Sequence, residues 1–132
     1  MIYKKVIETS KVHIWPATYS LGFEIKGGTL VFLSGCLAID SEGKLVGKDD
    51  IEAQTRQVCE NLKAAMEACG GTLDNIIKLN IYLTNPDHIV ASAKVRIQYF
   101  KKPYPGCTAV VVRQLLHEGC LLEIEAIAAL DK

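Results

Sequence analysis

Two carboxylates, Glu123 and Glu125, stand at i and i+2 in the run Leu122-Glu123-Ile124-Glu125-Ala126-Ile127-Ala128. In an extended strand that spacing sends both to one face and the intervening apolar residues to the other. Such a pair has two readings. Both carboxylates are solvated, or one lines a wet cleft as a proton shuttle or water positioner. Few other residues have a spacing that does chemistry. His13, His88 and His117 are scattered and share no ligand spacing, which fits loop or helix-start positions in water. The five cysteines, Cys36, Cys59, Cys69, Cys107 and Cys120, include no CxxC pair, so neither a zinc knuckle nor a redox dithiol is expected. Cys59 and Cys69 fall in a helical pattern and read as small buried apolar residues. No phosphate-binding glycine loop, HExxH, GxSxG or calcium loop occurs.

The elements that must position these residues read as one unit over residues 1–132, with no linker, repeat or low-complexity stretch. Tyr3–Ile7 is a short β-prone segment. Tyr19–Ile25 and Thr29–Leu33, joined across Gly27-Gly28, carry a hairpin signal. Ser34-Gly35 ends that strand, and Asp40-Ser41-Glu42-Gly43 is a turn. Asp49 and Glu52 have capping-box spacing at the start of a helix whose buried stripe is Val58, Leu62, Ala65, Met66 and Cys69. Glu52, Arg56 and Glu60 lie on its outer side, and Gly70-Gly71 stops it. Ile77, Leu79, Ile81 and Leu83 alternate with Lys78, Asn80 and Tyr82, a strand with one buried face. Asn85-Pro86 opens a second helix, with Ile89, Ala93, Ile97 and Phe100 expected inward. Two strands follow, near Thr108–Val112 and Leu121–Ala129. The order β-β-β-α-β-α-β-β predicts an α+β fold, an antiparallel or mixed sheet with two helices on one face. No helices remain for the other face, so association through it is expected.

Composition narrows the partners. Hydrophobic residues make up 49% and charged residues 23%, a globular balance that excludes disorder. Fifteen basic residues cancel fifteen acidic ones, leaving little electrostatic pull toward nucleic acid or anionic lipid. No apolar run approaches the ~20 residues that span a bilayer. The N-terminal MIYKKVIETSK has charges where a signal peptide would be apolar. The expected compartment is the cytosol, where thiols stay reduced.

Taken together, Pro105-Gly106-Cys107-Thr108-Ala109-Val110 followed by Leu122–Ala128 resembles the C-terminal signature of the RidA/YjgF family of imine and enamine deaminases. Leu33-Ser34-Gly35, Gln54-Thr55-Arg56-Gln57-Val58, Gly70-Gly71-Thr72-Leu73 and the strand at Ile77–Leu83 are similar to the family's earlier blocks, in the same order. The resemblance implies a chorismate-mutase-like fold and a homotrimer whose sheets form a central β-barrel, with clefts between subunits. It implies a small imine or carboxylate metabolite as substrate, hydrolysed to a 2-oxo acid and ammonia without a cofactor or metal. On the matching positions, Glu123 would hold the attacking water, Tyr19 would wall the pocket, and the Ser34-Gly35 backbone would bind a substrate carboxylate oxygen.

The departure falls at Cys107, where the family's deaminases carry an arginine that grips the carboxylate. A thiol cannot replace a guanidinium fork. Ala93 stands where the family has a pocket asparagine, and Cys36 where glutamine is frequent. Substrate-binding positions are therefore Tyr19, Ser34, Gly35 and the altered Cys107, with Arg96 and Arg113 as cations that could compensate. Three functions remain open: a deaminase with an altered substrate, a non-catalytic trimer binding a small metabolite in the same cleft, and a protein using Cys107 as a reactive thiol. Neutral charge and the lack of a basic aromatic patch do not favour a nuclease.

Overall fold

The alternation of Leu79, Ile81 and Leu83 with Lys78, Asn80 and Tyr82 builds the central strand of a four-stranded sheet. The computed structural model describes residues 2–132. Its strands are β1 (Tyr3–Val6), β2 (Phe23–Lys26), β3 (Thr29–Leu37), β4 (Ile76–Leu83), β5 (Gly106–Val111) and β6 (Leu122–Leu130). Its helices are α1 (Ile51–Ala68) and α2 (Ile89–Arg96), with single 3-10 turns at Leu73–Asn75 and Pro86–His88. The main sheet runs β3-β6-β4-β5. β6 is antiparallel to both β3 and β4, while β5 is parallel to β4. This is the mixed sheet with two helices expected from the sequence.

The expected hairpin is not formed. Gly27 and Gly28 make a tight turn, both with φ near +75°. β2 nevertheless pairs with β1, and β3 with β6. Gly28 is where the chain changes sheets, and its missing side chain leaves room for the Leu130 carbonyl.

One face of the sheet is core. Leu79, Ile81, Leu83, Leu122 and Ile124 are no more than 2% exposed and pack with Val58, Leu62 and Met66 of α1. Ile76 is buried while Ile77 is only half-buried, because β4 carries a bulge between Ile76 and Lys78 that shifts the alternation. The other face is bare. Phe32 is 70% exposed and registers with Ile127, Leu30 is exposed next to it on β3, and Val110 is exposed on β5 at the opposite edge.

α1 starts one residue later than its acidic pair indicated. Asp50 is the N-cap, its carboxylate accepting from the Ala53 N–H at 3.0 Å. Asp49 is held at φ +58°, a left-handed conformation that aspartate tolerates. At the far end Gly70 is left-handed, and the Gly71 N–H donates to the Met66 carbonyl at 2.9 Å, a Schellman closure.

α2 is turned differently from the expectation. Its inward residues are Ser92, Val95 and Arg96, followed by Phe100. Ile89 and Ile97 are 39% and 46% exposed. Ser92 faces α1 because its hydroxyl meets the Thr55 hydroxyl at 2.9 Å in the buried helix–helix contact. Among the described residues, no helix is long and apolar enough to cross a membrane.

Candidate active site

Glu123 and Glu125 do leave the same face of β6, and their surroundings separate them. Glu125 registers with Asn80 of β4. Its Oε1 accepts from the Asn80 amide at 3.0 Å and from the Tyr82 hydroxyl at 2.7 Å. That hydrogen bond, with burial and the carboxylate charges, pushes the Tyr82 phenol above its usual range. Glu123 has no comparable ties among the described residues. Its side chain lies across Gly35: a Cβ built there would stand 2.7 Å from the Glu123 Cδ and 2.8 Å from its Cγ.

Local sequence explains why Gly35 receives it. Leu33 registers with Ala126 and Cys36 with Ile124, so Ser34 and Gly35 together oppose one residue of β6. This is a bulge, which tilts the strand and leaves backbone groups outside the ladder. A glycine in the bulge lets the carboxylate approach the backbone. Ser34 and Gly35 are both exposed beside it.

Two polar residues of α1 hold the strands on either side of Glu123. The buried Gln54 amide donates to the Gly47 and Gly119 carbonyls at 3.1 and 2.8 Å and accepts from the Leu121 N–H at 2.8 Å. This fixes the chain as it enters β6. Asn61 donates to the Leu37 and Ile39 carbonyls, each at 2.9 Å, and fixes the end of β3. Neither role is visible in the sequence, because the partners are backbone groups far along the chain.

Cys107 and Tyr19 lie at the other margin. Cys107 is on β5 and registers with Leu79, so it turns toward the helix layer and packs partly against the core. Glu123 points from the opposite face of β6, two strand spacings or ~10 Å across the sheet. Tyr19 runs beside the start of β5, where the Ser20 N–H donates to the Pro105 carbonyl at 3.2 Å. The Tyr19 hydroxyl accepts from the Trp15 N–H at 3.1 Å, beside an open cleft of about 480 Å³ that Tyr19 shares with Trp15 and Tyr104. Within one chain, Ser34, Gly35 and Glu123 come together, while Tyr19 and Cys107 each neighbour the Ser20–Gly106 bridge at the start of β5 without sharing a cleft.

The cysteines are not poised for attack. Burial pushes the Cys107 thiol up and outweighs the opposing pull of Arg96 and Lys78. Cys36 registers with the core residue Ile124, and its thiol is raised first by burial and then by the Glu123 charge. Cys59 is fully buried and pushed up to about 12. A nucleophilic thiol needs the opposite shift. Among the described residues, no group of three or more histidines, cysteines or acidic residues could hold a metal.

Of the two arginines, Arg113 is exposed, six residues beyond Cys107 and past the far end of β5. Arg96 is 7% exposed and interacts electrostatically with Cys107 and Cys59. Burial pulls its guanidinium down, yet an arginine stays charged. Its Nε has no hydrogen-bond partner. Ala93, one turn earlier, is half-buried.

A mixed sheet carrying two helices on one face, with a bulge and a strand carboxylate at one margin, defines the chorismate-mutase-like class of α+β fold. The family described as Endoribonuclease L-PSP matches residues 15–130. A RutC family protein of Pyrococcus horikoshii is 40% identical over 104 residues, 79% of this chain and 82% of that one. A Schizosaccharomyces pombe protein named as mitochondrial mmf2 is 35% identical, covering 80% of this chain and 83% of its own. Among solved structures, a Rid family protein of Yersinia pestis, YyfB, superposes with a TM-score of 0.87 at 30% identity, covering 96% of this chain and 98% of its own. RidA of a Psychrobacter species superposes with a TM-score of 0.73 at 35% identity, covering 96% and 99%. The chain belongs to the Endoribonuclease L-PSP family, the RidA/YjgF group.

Proposed function

We propose that this protein hydrolyses a small imine or enamine acid to a 2-oxo acid and ammonia, with Glu123 as the residue that holds and deprotonates water. The observation that carries this reading is the Glu123 carboxylate lying over Gly35 in the β3 bulge, without the ties that hold Glu125. Glu123 takes a proton as a water oxygen bonds to the imine carbon. That proton passes to nitrogen, giving a carbinolamine; Glu123 then moves the hydroxyl proton to the same nitrogen, the carbon–nitrogen bond breaks, and ammonia leaves as the carbonyl forms. The exposed Ser34-Gly35 bulge would offer backbone N–H to a substrate carboxylate oxygen. No cofactor enters these steps.

The two site groups lie at opposite margins of the sheet, so the pocket that uses both is one between neighbouring copies. The bare face bearing Phe32, Leu30 and Val110 supports a homotrimer closed around a β-barrel. Light scattering should give three chain masses, and a monomer mass at micromolar concentration overturns the shared pocket. With Cys107 in the arginine position, turnover of 2-iminobutyrate supplied by a dehydratase should fall about 30- to 1000-fold below that of an arginine-bearing relative.

The test of Glu123 is a pair of variants. Glu123→Ala should lose about 10²–10⁴-fold in imine hydrolysis with the assembly intact, and Glu125→Ala far less. Equal losses overturn the assignment. A second reading, a trimer that binds a small metabolite without turning it over, draws on the protonated Cys107 thiol where the family grips its substrate. Cytosolic residence belongs to this proposal and is supported by five free thiols, which suit a reducing compartment.

A further inference from the structure

A cleft of about 250 Å³ lies between β1, the 3-10 turn at Leu73–Asn75, the start of β4 and residues 100–105. Three lysines, Lys4, Lys101 and Lys102, line it together with one carboxylate, Asp74. Over the whole chain the charges cancel, fifteen against fifteen. The cleft therefore concentrates an excess of positive charge that the molecule as a whole does not have.

The ribbon does not neutralise it. Side chains alternate along β1, so Lys5 leaves by the face opposite Lys4, registers with Glu24 and borders a separate cleft. Inside the cleft, the Asp74 carboxylate is taken by the Lys101 Nζ at 3.3 Å. The Lys4 Nζ donates to the Asp74 carbonyl at 3.2 Å and stands 4.7 Å from the centre of the Phe23 ring. A carbonyl and a ring face hold an ammonium without cancelling its charge. Lys102 has neither an ion pair nor a hydrogen bond among the described residues. Each ammonium carries three donors, so donors remain for a ligand. Partial burial pulls the Lys4 ammonium below its usual range, against the opposing pull of Asp74, and an added anion would relieve that cost.

We propose that this cleft binds a phosphate dianion, free or carried on a small metabolite, held by Lys4, Lys101 and Lys102. The site is separate from Glu123 and stands whether or not the deaminase reading does. A phosphate monoester carries nearly two negative charges above its second pKa of about 6, which matches three lysines against one carboxylate. Its tetrahedral oxygens accept from separate point charges on different elements, whereas a planar carboxylate is best met by a guanidinium fork. The volume falls below the ~300–1,000 Å³ of pockets for larger ligands, so it suits the head group. Nucleic acid fits poorly, because its affinity comes from a run of phosphate contacts and the excess charge stops at one cleft.

Lys102 also borders the Tyr19 cleft, so Lys4 and Asp74 carry the test. Titration calorimetry of the full-length protein at low salt uses inorganic phosphate, glycerol 3-phosphate, succinate, glycerol and a short oligouridylate. Both phosphates should bind, one per chain, and weaken as salt rises. Whichever binds tighter identifies the source of the phosphate group. Succinate should bind about 10-fold more weakly, and glycerol should give no heat. Lys4→Met should weaken phosphate binding about 3- to 10-fold, and Asp74→Asn should tighten it by a similar factor. In lysine-labelled protein, phosphate should move the Lys4 Nζ titration to higher pH, because an anion favours the charged form. Glu123→Ala should bind phosphate as wild type does.

The absence of both binding heat and a Lys4 response overturns the site. Equal binding of succinate overturns phosphate in favour of any dianion, and tighter binding of oligouridylate overturns the small ligand. Unchanged affinity in Lys4→Met, weakened affinity in Asp74→Asn, or lost affinity in Glu123→Ala places the anion elsewhere and overturns the assignment.

Discussion

At the β3–β6 margin, the polar side chains around Glu123 are tied to the backbone on both sides: Gln54 to residues 47, 119 and 121, and Asn61 to residues 37 and 39. At the β5 margin, the buried Arg96 interacts electrostatically with the Cys107 and Cys59 thiols, and its Nε has no hydrogen-bond partner. One margin is satisfied within the chain and holds its carboxylate ready. The other leaves the buried Arg96 Nε without a partner. The difference lies in hydrogen bonding: side chains of α1 fix the backbone next to Glu123, and no comparable bond holds the Arg96 Nε.

The largest expected effect lies on the unsatisfied side and appears with pH. Cys59 has its folded-state value pushed up to about 12, from an ordinary value of 9.0. The folded protein thus holds this proton more tightly than the unfolded chain does. The resulting stability is fully present below about pH 9 and is lost as pH rises toward 12, by up to about 4 kcal/mol. Cys36, Cys107 and Cys120 shift in the same direction. Urea midpoints measured from pH 8 to 11 should fall steadily, and Cys59→Ala should flatten the slope. A flat wild-type profile would mean that the thiol layer is wetter than the structure has it.

The next effect is on the satisfied side. Gln54→Ala removes three hydrogen bonds and leaves the Leu121 N–H and the Gly119 carbonyl without that partner, while the Gly47 carbonyl keeps the Asp50 N–H, at a cost of about 2–4 kcal/mol. Chemical denaturation gives the number directly. Hydrolysis should fall with it, since the entry to β6 positions Glu123. If Gln54→Ala proves neutral, the contrast between a tied and an untied margin is broken.

How much of this was legible beforehand differs element by element. α1 was readable because Val58, Leu62 and Met66 form an apolar stripe that the sheet buries. Its cap slipped by one residue, since Asp49 and Asp50 carry the same capping group and only the left-handed backbone at Asp49 separates them. α2 was misread in phase. Apolar Ile89 and Ile97 looked inward, yet the buried side carries Ser92 and Arg96, because Thr55 offers a hydroxyl partner and a crevice beside Leu79 and Phe100 takes the guanidinium. That misreading concealed which arginine is buried. The paired glycines gave a true turn but the wrong partners, since a turn fixes the local chain path and not which strand it meets. The shared face of Glu123 and Glu125 followed from a period of two. Their inequality did not, because it depends on Asn80 and Tyr82 across the sheet.

The smallest effect is the sharpest discriminator between the margins, and it uses one methyl group on each. At Gly35 the three atoms nearest an added Cβ all belong to the end of the Glu123 side chain. The side chain can rotate away, so Gly35→Ala should leave the melting temperature nearly unchanged. The carboxylate then no longer sits over the bulge, and displacement of a reacting group by about 1 Å can lower rates by up to about 100-fold. Gly35→Ala should therefore lose about 10- to 100-fold in imine hydrolysis while the assembly stays intact. At Gly106, beside Cys107, the same methyl group would meet nothing nearer than 3.6 Å, an ordinary contact. Gly106→Ala should stay within about 0.5 kcal/mol of wild type in stability and keep its turnover. Parallel melting curves and steady-state rates decide the matter. Were Gly35→Ala to unfold the protein without a selective loss of rate, the close approach at the bulge would be packing, and Glu123 would lose its claim to the water.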